Sequence, residues 1–191
     1  MQQLIIVPGY GGSGPQHWQT CWERELPHTR RIRVADWDAP RRAEWLRGLD
    51  DAIRAADAPP IVIAHSLGCV AVAHWAASAS HAILGALLVA PPDLDRASCP
   101  EALRDFGPIP RDRLPFASHV IASDDDPYAT PERARQMADD WGARITVLHR
   151  AGHINADAGF GPWRDGQRWI DVLAHAAAAS ASNRTRGFAG A

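Results

Sequence analysis

The run Ile61-Val62-Ile63-Ala64-His65-Ser66-Leu67-Gly68 is where the chain concentrates its chemistry. A short apolar, mostly β-branched run stops at a serine, and an apolar helical stretch follows. A strand that turns tightly into a helix lifts a serine hydroxyl above the end of a parallel sheet, as a nucleophile elbow does. The turn needs small residues two before and two after the serine, so that the two backbones can approach. Ala64 and Gly68 stand there, Ala64 in place of the more usual Gly.

A serine hydroxyl is a weak nucleophile until a base accepts its proton. On the sheet this pattern implies, the partners follow as acid and then histidine. The candidate strand His119–Ser123 ends at Asp124-Asp125-Asp126-Pro127, and the candidate strand Arg144–His149 is followed by Ala151-Gly152-His153. Both partners lie just past strand C-termini, where open parallel sheets carry their sites. Asp126 is chosen among the three acids because it directly precedes Pro127-Tyr128, where the chain turns; Asp124 and Asp125 are expected to be solvated or turn-forming. The reading is Ser66 as nucleophile, His153 as base and Asp126 as the acid that orients it.

Acyl chemistry also needs preorganised N–H donors for an oxyanion. Leu67, next to the serine, is one candidate, and Tyr10 in the glycine-rich loop Pro8–Gly14 is the other. Gly9, Gly11, His65 and Trp163 are candidate pocket residues, though core packing is the preferred reading for Trp163. The same loop suggests phosphate binding, but it lacks the Gly-Lys-Ser/Thr ending of a P-loop. Three consecutive carboxylates do not converge as spaced calcium ligands do. Neither a metal nor a cofactor is expected.

The elements that hold these residues read as alternating strands and helices. Strands are predicted near 3–8, 31–35, 60–65, 83–90, 117–123 and 144–149. Helices are predicted near 15–26, 41–57, 67–80, 131–142 and 160–179. This alternation implies an α/β fold, a three-layer α/β/α sandwich on a mostly parallel sheet of about six strands. Thr130-Pro131-Glu132 reads as a helix N-cap, a first-turn proline and a first-turn acid. The 191 residues, 46% apolar, suit one domain over 1–179. Residues 180–191, with few apolar anchors, are expected to form a frayed or disordered tail. The irregular segment Pro91–Pro115 is too short for a large lid, though it has room for a short helix over the site.

Net charge is −2, which favours neither nucleic acid nor an anionic membrane. All 20 basic residues are arginine, scattered among acids. Met1–Gln3 leads into an apolar run too short for a secretory leader, and no stretch approaches a membrane span. Three cysteines without metal spacing fit a reducing cytoplasm. Cys69 is expected as a small buried apolar residue. A small acyl compound is the expected partner.

The chain resembles the small single-domain serine hydrolases of the α/β-hydrolase superfamily related to retinoblastoma-binding-protein-type hydrolases, in their bacterial branch. The matching residues are Val7-Pro8-Gly9-Tyr10, Gln16-His17-Trp18-Gln19 with Trp22, Asp36-Trp37, Ala64–Cys69, Ala90–Asp93, Ser123–Tyr128 and Gly152–Asn155 with Gly159–Gly161 and Trp163. The resemblance implies Ser66, Asp126 and His153 as the working residues, no cofactor, and a minimal hydrolase fold without a large cap. Two classes of function stand at this point: a hydrolase of small esters, thioesters or amides, and a binding module on the same fold.

Overall fold

The computed structural model describes residues 2–79 and 81–187. Six strands form one sheet: β1 (Leu4–Val7), β2 (Thr29–Arg31), β3 (Ile61–His65), β4 (Gly85–Val89), β5 (Ala117–Ser123) and β6 (Arg144–Leu148). All pair in parallel, in the order β2-β1-β3-β4-β5-β6. The helices are α1 (Trp18–Glu25), α2 (Arg42–Arg54), α3 (Leu67–Ala76), α4 (Pro131–Trp141) and α5 (Arg168–Gly187).

Side chains alternate across the sheet, so each strand feeds two cores. Ile5, Val7, Val62 and Ala64 face α2, α3 and α4 with Trp45, Leu49, Val70 and Met137. Leu4, Ile6, Ile61 and Ile63 face α1 and α5 with Trp18, Trp22, Ile170 and Leu173. The result is the expected three-layer minimal α/β-hydrolase architecture. β3 and β4 are buried throughout because helices cover both faces.

Helix α3 is apolar on all sides and almost fully buried. Its start lies so close to β1 that a Cβ on Gly68 would stand 2.4 Å from the Val7 carbonyl oxygen and 2.5 Å from that of Pro8. α4 starts on Thr130, whose side chain accepts the Arg133 N–H at 3.2 Å, and stops at Gly142 in the left-handed region, φ 63°.

Two elements differ from the sequence expectation. β2 lies at 29–31 rather than 31–35, because Leu4 pairs with Thr29 and the ladder closes with the Ile32 N–H donating to Ile6. Ile32 is buried against α2 from just beyond the strand, which is what its apolar character signalled. The last helix begins at Arg168 rather than near 160. Gly159 at φ 86° and Trp163 at φ 34° are outside helical geometry, and a short 3₁₀ turn, Arg164–Gln167, leads into α5. The segment 180–191, expected as a tail, starts inside α5; residues 188–191 lie outside the described residues.

Replacing Gly68 by Ala is expected to destabilise the fold by about 1–3 kcal/mol, the usual range for overpacking. The added methyl meets two backbone carbonyls, which have little room to yield. Urea denaturation of Gly68→Ala against the parent chain measures it.

Candidate active site

The site forms where β3 turns into α3. Ser66 occupies the turn at φ 52° and ψ −124°, a conformation that L residues rarely adopt and that the surrounding packing must hold. On one side Gly68 admits the β1 backbone. On the other, a Cβ on Gly9 would come within 2.8 Å of the Ser66 Cβ. These two glycines let the β1 loop close over the serine.

Ser66, His153 and Asp126 form one hydrogen-bonded chain. The Ser66 hydroxyl lies 2.9 Å from His153 Nε2. His153 Nδ1 lies 2.9 Å from Asp126 Oδ2 and 3.1 Å from Oδ1. Both side chains of this pair are buried. Asp126 Oδ1 also accepts the Tyr128 N–H at 2.9 Å, which fixes the carboxylate from its far side. A carboxylate, an imidazole and a hydroxyl in this sequence can move a proton off the hydroxyl while holding the imidazole in one tautomer.

The other two aspartates are exposed and lie in a turn, as expected, and they also hold the loop after β6. Asp124 accepts from His149 Nδ1 and the Arg150 N–H, each at 2.7 Å. Asp125 accepts from the Ser123 hydroxyl and the Gly152 N–H, again at 2.7 Å. Consecutive carboxylates at the end of β5 thus grip successive positions after β6, ending at His153. These hydrogen bonds hold the Asp124 and Asp125 carboxyls below the ordinary aspartate pKa, through Arg150 and His149 for the first and Ser123 and Gly152 for the second.

Helix α1 braces the same loop from below. The indole N–H of Trp18 donates to the Ile154 carbonyl at 2.8 Å, and that of Trp22 to the Pro162 carbonyl at 2.9 Å. Trp163 packs into this cluster, stacked on Trp22 and edge-on to Trp18. His65 Nε2 donates to the His153 carbonyl at 2.9 Å. Burial, then the neighbouring His153 and His17, push the His65 pKa well below the ordinary histidine value, so it stays neutral there. Cys69 is buried as expected, and burial pushes its thiol pKa up.

Two backbone donors converge beside the serine. The Leu67 N–H opens α3, where helix donors have no intrahelical partner. In the β1 loop, Gly11 donates to the Trp37 carbonyl and Gly12 to Gly9, both at 3.0 Å. The Tyr10 N–H between them has no acceptor among the described residues.

A cavity of about 280 Å³ opens over Ser66. Gly9, Tyr10, His65, Ser66 and His153 line it as the sequence suggested. Gly11 and Trp163 are not in its lining: the first turns its N–H toward Trp37 and the second is in the α1 cluster. The lining also includes His17, Leu94, Arg96, Cys99, Leu103, Tyr128 and Asn155, which the sequence reading did not assign to the site. Leu103 belongs to a short 3₁₀ turn, Glu101–Phe106, the small element for which the segment 91–115 had room. The matching blocks Gln16–Gln19, Ser123–Tyr128 and Gly152–Asn155 contain His17, Tyr128 and Asn155; nothing local marked the others. A larger groove of about 560 Å³ along Arg30, Arg31 and Arg33 at the β2 edge holds none of these residues.

A six-stranded parallel sheet between helices, with this serine at the end of β3, defines a member of the α/β-hydrolase superfamily. The chain belongs to the serine hydrolase family, whose model matches residues 4–172. A Pectobacterium atrosepticum protein described as a YdeN-like hydrolase is similar at 31% identity and TM-score 0.83, covering 93% of this chain and 92% of that one. The ydeN gene product of Bacillus subtilis is similar at 22% identity and TM-score 0.78, over 91% and 98%. A Mycobacterium tuberculosis protein described as the non-heme bromoperoxidase BpoC shares the fold at 16% identity and TM-score 0.66, over 91% and 93%. No curated protein sequence matches the chain. Among the described residues no helix is long and apolar enough to cross a membrane.

His17 ties the site to the stability of the fold. Its Nδ1 caps α1 by accepting the Gln19 N–H at 3.2 Å. Burial, then Arg31 and His153, lower its pKa from 6.5 to about 4. Between those values the unfolded chain binds a proton that the folded chain refuses, so stability falls as pH drops from about 6.5 toward 4. Asn at position 17 keeps a capping oxygen and removes the titration. The urea midpoint of His17→Asn is expected to fall less steeply over this pH range than that of the parent chain.

Proposed function

We propose that this hydrolase is a serine esterase of small acyl esters or related acyl compounds, working through an acyl-enzyme intermediate. The observation that carries the reading is the unbroken Ser66–His153–Asp126 chain, with 2.9 Å at each link. Ser66 Oγ attacks the acyl carbon as its proton passes to His153 Nε2. The imidazolium that forms is stabilised by Asp126. The developing oxyanion accepts from the Tyr10 and Leu67 N–H groups. Collapse of the tetrahedral intermediate expels the alcohol, which takes the proton from His153. Water, deprotonated by the same imidazole, then releases the acid and restores Ser66. Within the superfamily, the Trp18-Gln19 and Gly152–Trp163 motifs favour the retinoblastoma-binding-protein-like group.

Ser66→Ala is expected to abolish 4-nitrophenyl acetate hydrolysis and labelling by a fluorophosphonate probe while the far-UV circular dichroism stays that of the parent. Labelling at an undiminished rate overturns the assignment, and a folded parent that neither labels nor turns over esters is a binding module instead.

Asp126→Asn is expected to lower kcat by about 10⁴-fold, as loss of the acid does in related triads. Asp125→Asn, which keeps an acceptor oxygen for Gly152, is expected to cost far less. An equal loss at Asp125 in steady-state assays shows that the loop clamp, not the orienting acid, limits the reaction.

The cavity is slightly smaller than the roughly 300–1,000 Å³ of ordinary ligand pockets. Acetyl and butyryl esters are therefore expected to outperform palmitoyl esters in kcat/KM, measured below their aggregation limits. A steady rise to long chains contradicts this.

A further inference from the structure

The proposed esterase site has a guanidinium in its wall. Arg96 lines the cavity over Ser66 together with Leu94, Leu103 and Tyr128. The acids nearest in sequence, Asp93 and Asp95, are both held by Arg133 of α4, at 3.1 and 2.8 Å. Among the described residues no carboxylate pairs with Arg96. One of its nitrogens donates to the Pro127 carbonyl at 2.7 Å, which leaves most of its five donors free. Its guanidinium carbon sits 4.8 Å over the Tyr128 ring, and that ring meets the His153 imidazole edge-on at 4.5 Å. The cation is thus one aromatic ring away from the group that would move the proton.

Leu94 and Leu103 give the cavity wall apolar surface, and Asp93, also in that wall, is paired with Arg133. A cavity that holds a serine, two leucines and a guanidinium with no carboxylate partner among the described residues matches an acyl group with a terminal anion. Arginine binds a carboxylate with two parallel N–H donors, which adds direction as well as attraction.

We propose that Arg96 is a specificity-determining residue that selects acyl groups bearing a terminal carboxylate, such as half-esters of short dicarboxylic acids. The proposal rests on Ser66 as the acylated residue. The substrate carboxylate lies against Arg96, the acyl carbon lies at Ser66, and the leaving alcohol departs toward solvent. Arg96 takes no part in bond making; it sets which acyl group is presented. The opposing charges are Asp93 on the cavity wall and Asp95 nearby, each already engaged by Arg133, and Asp126, engaged by His153.

The test compares 4-nitrophenyl hemiglutarate with 4-nitrophenyl pentanoate, which have the same acyl length to the terminal group, after subtraction of the uncatalysed rates. The parent enzyme is expected to favour the glutaryl ester in kcat/KM by about tenfold, the value of one partly exposed charge-assisted contact. The preference is expected to collapse to about one or below in Arg96→Gln, to persist in part in Arg96→Lys, and to shrink as salt is raised. A parent preference for pentanoate, or a ratio unmoved by Arg96→Gln, overturns the proposal. Each ratio is internal to one protein, so partial loss of folded enzyme does not alter it. Calorimetric binding of free glutarate provides an arm that needs no turnover: binding is expected for the parent and lost in Arg96→Gln. Glutarate binding that depends on Arg96, without hydrolysis of either ester, keeps the anion subsite and overturns the esterase reading. Hydrolysis of both esters, with no glutarate binding and no effect of Arg96, does the reverse.

Discussion

The structure depends on how closely three backbones approach at Ser66. β3 delivers the chain to a residue held at φ 52° and ψ −124°, and α3 carries it away at once. Such a backbone persists only where its surroundings over-determine it. Here the surroundings are an almost fully buried helix on one side and the β1 carbonyls on the other, at distances that exclude a Cβ at Gly68. Gly9 lets the following loop descend onto the serine itself. Among the described residues the Tyr10 and Leu67 N–H groups have no protein acceptor.

Such a turn has no use without a partner that arrives from far along the chain. His153 sits on a loop after β6, two strands beyond β4 in the sheet, and a loop is ordinarily the mobile part of a fold. Several independent contacts restrain this one. The three aspartates after β5 take His149, Arg150, Gly152 and His153 in turn. Trp18 and His65 hold the carbonyls of Ile154 and His153. Holding both flanks of the histidine by backbone hydrogen bonds narrows its position more than a single side-chain contact does. Preorganisation of this kind suits His153 to the role of base proposed above.

The segment from Pro91 to Pro115 completes the enclosure. It is rich in charge, yet Leu94 and Leu103 line the cavity, and Arg133 of α4 pairs with both Asp93 and Asp95. Further tethers run from the Asp93 N–H to the Tyr128 carbonyl and from Arg96 to Pro127. The cover is therefore docked on the loop that carries the acid, and the size of the cavity follows from that docking rather than from a separate cap.

By itself the sequence determined the sheet, the layers and the chain of Ser66, Asp126 and His153. Those depend on local signals: the apolar runs of β3 and β4, the small residues about Ser66, the cap and first-turn proline that open α4, and acids or histidine just past strand ends. Even there, the position of β2 and the start of α5 escaped it, because pairing with β1 and the backbone at Trp163 decided them. Tertiary structure alone decided the rest. Asp124 and Asp125 are the exposed turn residues the sequence suggested, but their hold on the loop after β6 could not be read, because those partners stand about 25 positions away. Gly11 looked like a pocket residue because it neighbours the site in sequence, and Trp163 packs on α1 as the preferred of its two readings had it, whereas Arg96, His17 and Leu103 reach the cavity only through folding. A strand or a tight turn is specified by adjacent residues and can be read from them. A cavity wall is specified by which surfaces pack together, and no local pattern encodes that.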